Sequence, residues 1–140
     1  MKILIPVDGS GSSTRAAQFV ANLANKATSL EVHLVNVQPL GDDWMIRRLL
    51  KVDELAEMEQ GWGASALEPA RALLSDAGVS VETHVAQGEV APTIVRLAVE
   101  FGCNQIVMGS HGRTSLTGLL MGSVASKVMH LAGIPITFVK

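Results

Sequence analysis

The sequence predicts an α/β fold in which a single open, five-stranded parallel sheet carries helices on both faces. Short apolar segments alternate with segments whose apolar residues recur at helical spacing, which is typical of crossover units in a parallel sheet. The first apolar segment, KILIPV at 2–7, is nearly uninterrupted, as expected of a strand buried on both faces. The 140 residues suffice for one domain, 1–140, with a substantial core.

The stretch DGSGSS at 8–13 follows the first strand and is expected to be a loop. Small hydroxyl residues are favoured helix N-caps, and either Ser12 or Ser13 is predicted to have that role in the first helix. The next segment has apolar residues at i, i+4, i+7, i+8 and i+11, which places them on one helix face. These residues are Ala16, Val20, Leu23, Ala24 and Ala27.

A second buried strand is predicted at 31–37, from the sequence EVHLVNV. The segment 42–77 has the weakest periodicity, although its later part indicates a helix that ends near Gly78. The GWG sequence at 61–63 is expected to break or bend the structure that precedes it, because glycine is unfavourable inside helices. The apolar residues that indicate the helix are Leu67, Ala70 and Leu74.

The second half of the chain continues the alternation. Apolar and polar residues alternate at 79–85, which predicts a strand with one partly solvated face, as at the edge of a sheet. A helix is expected at 92–102, with Gly102 at its end, and then a strand at 104–110. The residues expected to face inward from this helix are Ile94, Val95, Ala98 and Phe101.

The C-terminal part is predicted to contain a last helix and a last strand. Gly133 and Pro135 end the helix, and ITFVK at 136–140 forms the strand. An apolar strand at a sheet edge leaves unpaired backbone groups that favour pairing with another chain, so a homodimer through the C-terminal strand is expected. The apolar residues that define the helix are Val124, Val128, Leu131 and Ala132.

The predicted strand order is 3-2-1-4-5, so the winding reverses between the first and fourth strands. Ligands of open α/β sheets bind beyond the carboxyl ends of the strands at such a reversal. The loops that leave these two strands are PVDGS at 6–10 and MGSHG at 108–112, and both combine glycine with short polar residues. The sequence therefore predicts a ligand crevice between them.

Glycine and serine have chemical roles in this crevice. Gly109 and Gly112 are expected to permit positive φ and a close approach of the backbone to a ligand. Gly122 and Ser123 lie where the last helix begins. Unpaired amides and the helix dipole make that position suitable for phosphate.

Charged and polar residues complete the crevice, and each has a structural alternative. Asp8 can accept hydrogen bonds from ribose hydroxyls or from an adenine amino group, or it can stabilise a turn with Ser10 or cap the first helix. Arg113 can reach terminal phosphates or be solvated, and His111 can touch a phosphate or be an exposed loop residue. The Ser123 hydroxyl can add a hydrogen bond to the anion, although serine in such a position is more often just an N-cap.

Composition excludes several classes of protein. The net charge is −2, from 13 acidic and 11 basic residues, so neither nucleic acid nor an acidic membrane is an expected partner. No segment has the roughly 20 apolar residues of a membrane helix and no signal peptide is evident, so a cytoplasmic location is expected. Cys103 is interpreted as buried filler, and His33, His84, His111 and His130 are scattered without metal-ligand spacing.

The pattern Gly109-x-x-Gly112, nine further residues and Gly122-Ser123 resembles the nucleotide-binding signature of the universal stress protein family. The N-terminal ILIPVDGS is similar to the opening strand of that family, and the sequence from Gly78 to the end resembles its C-terminal half. The resemblance covers nearly the whole chain, with 42–77 the least diagnostic part.

This resemblance implies a Rossmann-like domain, frequent homodimers and, in the branch that has the motif, bound ATP or AMP, with the participation of Mg²⁺ left open. The implied site residues are Pro6, Val7, Asp8 and Val37 near adenine and ribose, Met108, Gly109 and Gly112 along the nucleotide, and Gly122, Ser123 and Val124 at the phosphates.

Three functions are compatible with these residues. The first is a nucleotide-binding stress-response sensor or regulatory module that acts on a protein partner of unknown identity. The second is a slow ATPase or phosphotransfer enzyme, which needs a base or a metal-held water near the γ-phosphate, and Asp8 is the only obvious acid nearby. The third is a dimeric interaction protein without a functional nucleotide. The intact motif favours the first.

Overall fold

The computed structural model describes residues 1–24, 29–39, 51–112 and 121–140. Within these residues the chain forms five parallel strands and four helices. The strands are β1 (Lys2–Pro6), β2 (Glu31–Gln38), β3 (Ser80–Gln87), β4 (Gln105–Gly109) and β5 (Ile136–Val139). The helices are α1 (Gly11–Ala24), α2 (Val52–Asp76), α3 (Val90–Glu100) and α4 (Ser123–Leu131).

The sheet has the strand order β3-β2-β1-β4-β5, which confirms the predicted order, and all its pairs are parallel. The winding therefore reverses between β1 and β4. Both β3 and β5 lie at edges of the sheet. The carboxyl ends of β1 and β4 adjoin one another, so the loops that follow these two strands emerge side by side.

Alternate residues of the central strands supply two separate core layers. Ile3 and Ile5 of β1 face the side on which α1 and α2 pack, whereas Leu4 faces the side on which α3 and α4 pack. All three side chains are fully buried. The apolar sequence of β1 thus reflects a strand covered by helices on both faces.

Two leucines that helped to indicate helices are exposed. Leu23 is 37% exposed, so its place on the apolar face of α1 was wrong, and Leu131 of α4 is 52% exposed. The buried face of α1 is centred between Ala17 and Val20, and at 100° per residue Leu23 lies at its flank. Leu131 lies at the flank of the α4 face in the same way. Ala27 lies outside the described residues.

The expected break at GWG is also wrong, because α2 is continuous from Val52 to Asp76. A Cβ atom on Gly63 would lie 2.5 Å from a methyl group of Val85 and 3.1 Å from Oδ1 of Asn36. Glycine therefore allows α2 to approach the sheet closely at this point. This close packing offsets the unfavourable helix propensity that the sequence pattern indicated.

The N-cap of α1 is Ser10 rather than Ser12 or Ser13. The Ser13 N–H donates to Ser10 Oγ at 3.3 Å, and the Thr14 N–H donates to the Ser10 carbonyl at 3.2 Å. Ser12 and Ser13 are buried in the first turn of the helix. The helix begins earlier than predicted because a tight turn at Asp8 shortens the preceding loop.

Glycine ends two helices as predicted. Gly78 follows α2 with φ of 78°, and Gly102 follows α3 with φ of 68°, a conformation that few other residues adopt without strain. Across the described residues, none of the helices combines the length and apolar character required to cross a membrane.

Candidate functional site

A cavity of about 380 Å³ lies at the carboxyl edge of the sheet, where the loops after β1 and β4 meet. The loops approach each other closely, since a Cβ atom on Gly112 would lie 2.9 Å from Oδ2 of Asp8. The structure thus places a cavity at the reversal of strand order between β1 and β4. Its volume is in the range that small-molecule sites occupy.

The cavity brings together every predicted site residue within the described ranges. Arg113 lies outside the described residues. The predicted residues that line the cavity are Pro6, Val7, Asp8, Val37, Met108, Gly109, His111, Gly112, Gly122, Ser123 and Val124. Their role in binding stays a prediction.

Sequence reasoning missed several further residues of the cavity wall. Asn36 has a detectable signal, because it is a buried polar residue in an otherwise apolar strand. Its Nδ2 donates to the Val7 carbonyl at 2.8 Å, and its Oδ1 accepts from Gln38 Nε2 at 2.5 Å. The additional lining residues are Ser10, Ser13, Val35, Asn36, Gln38, Pro39, Val90, Ile94 and Ala125.

Asp8 holds the turn that leads from β1 to α1. Its Oδ1 accepts a hydrogen bond from the Ser10 N–H at 2.9 Å, which is the turn that the sequence left as an alternative role. The second oxygen, Oδ2, lies beside Gly112 on the opposite loop. One carboxylate thereby fixes the backbone through one oxygen and presents the other at the junction of the two loops.

Gly109 and Gly112 allow neighbouring chain segments to pack closely against them, but not through a positive φ. Neither has a φ in the left-handed region, so that part of the expectation was wrong. A Cβ atom on Gly109 would overlap Ser12, at 2.8 Å from its carbonyl carbon. The N-terminus of α1 can therefore pack directly on the end of β4 only because residue 109 has no side chain.

The N-terminus of α4 contributes backbone N–H groups to the cavity. Gly122 is the N-cap, with φ of −70° and ψ of 164°, and among the described residues no side chain caps this helix. The N–H groups of Ser123, Val124 and Ala125 have no intrahelical acceptors because they lie in the first turn. Together with the positive end of the helix dipole they favour an anion.

His111 is half-buried in the loop after β4. Its Nδ1 lies 2.8 Å from the hydroxyl of Ser110, and its backbone N–H donates to Ser12 Oγ at 3.4 Å. The imidazole is thus held against the loop and lines the cavity. Its predicted contact with a phosphate stays a prediction.

Two histidines outside the cavity are neighbours, which corrects the expectation that the histidines are scattered. His33 of β2 and His84 of β3 lie side by side, with Nδ1 of His33 3.0 Å from Nε2 of His84. Their positions differ by 51 residues in the sequence, so only the pairing of β2 with β3 reveals the contact.

Comparison with known proteins agrees with this architecture. The model of the universal stress protein family matches residues 1–140. Universal stress protein MJ0531 of Methanocaldococcus jannaschii is 33% identical over 147 aligned residues, which cover 99% of this chain and 81% of the relative.

Solved structures of universal stress proteins have the same fold as this chain. The structure of MJ0577, from the same archaeon, superposes with a TM-score of 0.87 at 29% identity, over 99% of this chain and 94% of that one. The universal stress protein of Archaeoglobus fulgidus, solved in complex with dAMP, has a TM-score of 0.71 at 25% identity, over 100% of this chain and 98% of that one.

Proposed function

Because the chain belongs to the universal stress protein family, we propose that it binds an adenine nucleotide in the cavity between β1 and β4. One observation carries the proposal: the N-terminus of α4, a site suited to anions, shares this cavity with the carboxylate of Asp8. A nucleotide has an anionic end and a hydroxyl-bearing end, and the cavity offers a partner for each. The dAMP complex of the Archaeoglobus fulgidus relative supports the same ligand class.

We assign the cavity residues to parts of the nucleotide according to their chemistry. The apolar side chains at the ends of β1 and β2 form the wall for adenine, and Asp8 Oδ2 accepts a hydrogen bond from a ribose hydroxyl. The first amides of α4 and the Ser123 hydroxyl bind phosphate, and His111 lies next to them. The adenine wall consists of Pro6, Val7 and Val37, with Met108 on the adjacent strand.

We propose ATP or AMP as the ligand and a regulatory rather than catalytic role in the cytoplasm. In this role the bound nucleotide sets the state of a stress-response module that a protein partner recognises. Binding is favoured over hydrolysis because Asp8 is the one carboxylate among the described residues that line the cavity, and its second oxygen is assigned to the ribose rather than to the phosphates. This carboxylate is therefore a poor candidate for a general base.

Mass spectrometry of small molecules released by denaturing the purified protein tests the proposal. We expect an adenine nucleotide, and we expect the emptied protein to bind ATP and AMP again in calorimetric titrations with and without Mg²⁺. Neither released nucleotide nor measurable binding would contradict the proposal. ATP turnover that a variant of the α4 N-terminus abolishes would instead favour the slow ATPase.

We further propose a homodimer through β5. The Ile106 N–H donates to the Pro135 carbonyl and the Ser110 N–H to the Val139 carbonyl, so odd-numbered positions of β5 pair with β4. The backbone groups of Ile136 and Phe138 consequently point to the open edge. Amide exchange at these two residues should slow as the protein concentration rises. A monomeric mass in sedimentation at micromolar concentration would contradict the dimer.

A further inference from the structure

The pair His33–His84 is part of a larger polar cluster between the sheet and the end of α3. In the register of β2 with β3, His33 lies opposite Glu82 and Val35 lies opposite His84, so both histidines and Glu82 project from one face of the sheet. Phe101, directly after α3, stacks on both rings, at 4.8 Å from His33 and 4.3 Å from His84. The two imidazoles are thereby fixed in nearly parallel planes.

We propose that His33, Glu82 and His84 bind a divalent transition-metal ion of the zinc class. Their donor atoms already form a small triangle. Nδ1 of His33 and Nε2 of His84 are 3.0 Å apart, and each lies 3.7 Å from Oε2 of Glu82. Donors around a tetrahedral zinc ion with bonds near 2.1 Å are separated by about 3.4 Å. With the ring centroids 5.3 Å apart, the two nitrogens face each other directly, so binding of the ion requires both rings to turn in their planes until their lone pairs converge beside Oε2 of Glu82.

Glu31 supplies a positioning group for this site. Its Oε1 lies 3.4 Å from Nε2 of His33, the ring nitrogen that does not face Glu82. Within the described residues that nitrogen is buried without a hydrogen-bond partner. A carboxylate at this position favours the tautomer with the proton on Nε2, which leaves Nδ1 as a lone-pair donor. Metal-binding histidines commonly have such an outer carboxylate.

Charge and access are also suitable for a cation. The carbonyl end of α3, which carries the negative end of the helix dipole, adjoins the cluster through Phe101. His33 is almost completely buried, whereas the Glu82 side chain is 61% exposed, so an ion can enter from solvent on that side. Three protein ligands leave one coordination position for water.

A simple hydrogen bond between neutral imidazoles is the competing explanation for the 3.0 Å contact. It accounts for the two histidines but not for a carboxylate oxygen placed nearly equally from both donor nitrogens. The metal site is independent of the nucleotide proposal, because none of its three ligands lines the cavity between β1 and β4.

Titration of the chelator-treated, nucleotide-free full chain with Zn²⁺ tests the proposal, with Co²⁺ as a spectroscopic probe. We expect one ion per chain and the visible absorption of tetrahedral Co²⁺. Glu82→Gln and His84→Asn should each weaken Zn²⁺ binding by more than about tenfold, and Glu31→Gln by roughly 10–100-fold. His130→Asn, at an exposed position of α4, is the matched control and should bind as the wild type does.

Glu82→Gln keeps the test decisive if His84→Asn fails to fold, because the Glu82 side chain is largely exposed. Zn²⁺ binding that Glu82→Gln leaves unchanged would overturn the proposal, as would a wild-type chain that neither binds Zn²⁺ nor gives the Co²⁺ absorption. A Gly122→Asp variant that loses the nucleotide but retains Zn²⁺ separates the two proposals.

Discussion

The backbone N–H of Gly122 donates to the carbonyl oxygen of Ser110 at 2.6 Å. This hydrogen bond joins the N-cap of α4 to the residue that follows β4. The N-terminus of α4, the proposed phosphate site, is therefore tied to the carboxyl edge of the sheet by a backbone hydrogen bond. This bond preorganises the N-cap of α4 for the proposed phosphate site, because residue 122 already has its place beside the end of β4.

Gly122→Asp tests this site through charge. The φ of −70° suits any residue, and aspartate is a favoured N-cap, so we expect the variant to fold. Like charges about 4 Å apart near a protein surface repel by about 4 kcal/mol, so calorimetry should show nucleotide affinity reduced by roughly 100-fold or more. Gly122→Asn has the same shape without the charge and should bind substantially better. Equal affinities of the two variants would contradict a phosphate at this position.

Two variants of Asp8 distinguish its structural role in the turn from its proposed role in nucleotide binding. Asp8→Asn retains an acceptor for the Ser10 N–H, so its free energy of unfolding should stay close to that of the wild type. Asp8→Ala removes the acceptor and should lower that free energy by about 1 kcal/mol. Both variants should weaken nucleotide binding, by roughly tenfold for a lost charged hydrogen bond. Wild-type affinity in Asp8→Asn would show that Oδ2 does not contact the nucleotide.

Gly63→Ala tests the close approach of α2 to the sheet. The added Cβ would lie 2.5 and 2.7 Å from the two methyl groups of Val85. Gly61 is the matched control, since an added Cβ there would have no neighbour within 4 Å. Gly61→Ala should raise the free energy of unfolding by up to about 1 kcal/mol, and Gly63→Ala should lie about 1–3 kcal/mol below it in urea denaturation. If Gly61→Ala and Gly63→Ala raised the free energy of unfolding equally, α2 would not be packed tightly against Val85, which would contradict the proposed role of Gly63.

Cys103 provides a pH prediction. Burial raises the pKa of its thiol; the charge of Lys2 opposes this shift and that of Glu31 adds to it. The unfolded chain therefore loses the thiol proton at lower pH than the folded chain. As the pH rises above about 8.5, the free energy of unfolding should fall, and the fall should be smaller in Cys103→Ala. Identical pH dependence of the two proteins would contradict the shift.

The features that depend on the local pattern of apolar residues could be predicted from the sequence. Buried apolar segments indicated the alternation of strands and helices. The crevice followed from the strand order expected of that fold class together with the glycine-containing loops after the first and fourth strands. The N-cap prediction failed because Ser10, Ser12 and Ser13 are equivalent caps in the sequence, and the turn at Asp8 selects Ser10. Gly63 misled because its partner, Val85, lies on a distant strand. The contact of His33 with His84 depends on β-sheet register, which no single segment reveals.

The parallel sheet gives the molecule two chemically opposed poles. Each helix must run back against the strands, so helix N-termini gather at one rim and helix C-termini at the other. The start of α4 and the end of α3 belong to opposite rims. One rim is thus suited to negative groups and the other to positive ones, so the proposed nucleotide and the proposed metal ion would bind at opposite ends of the strands without competing.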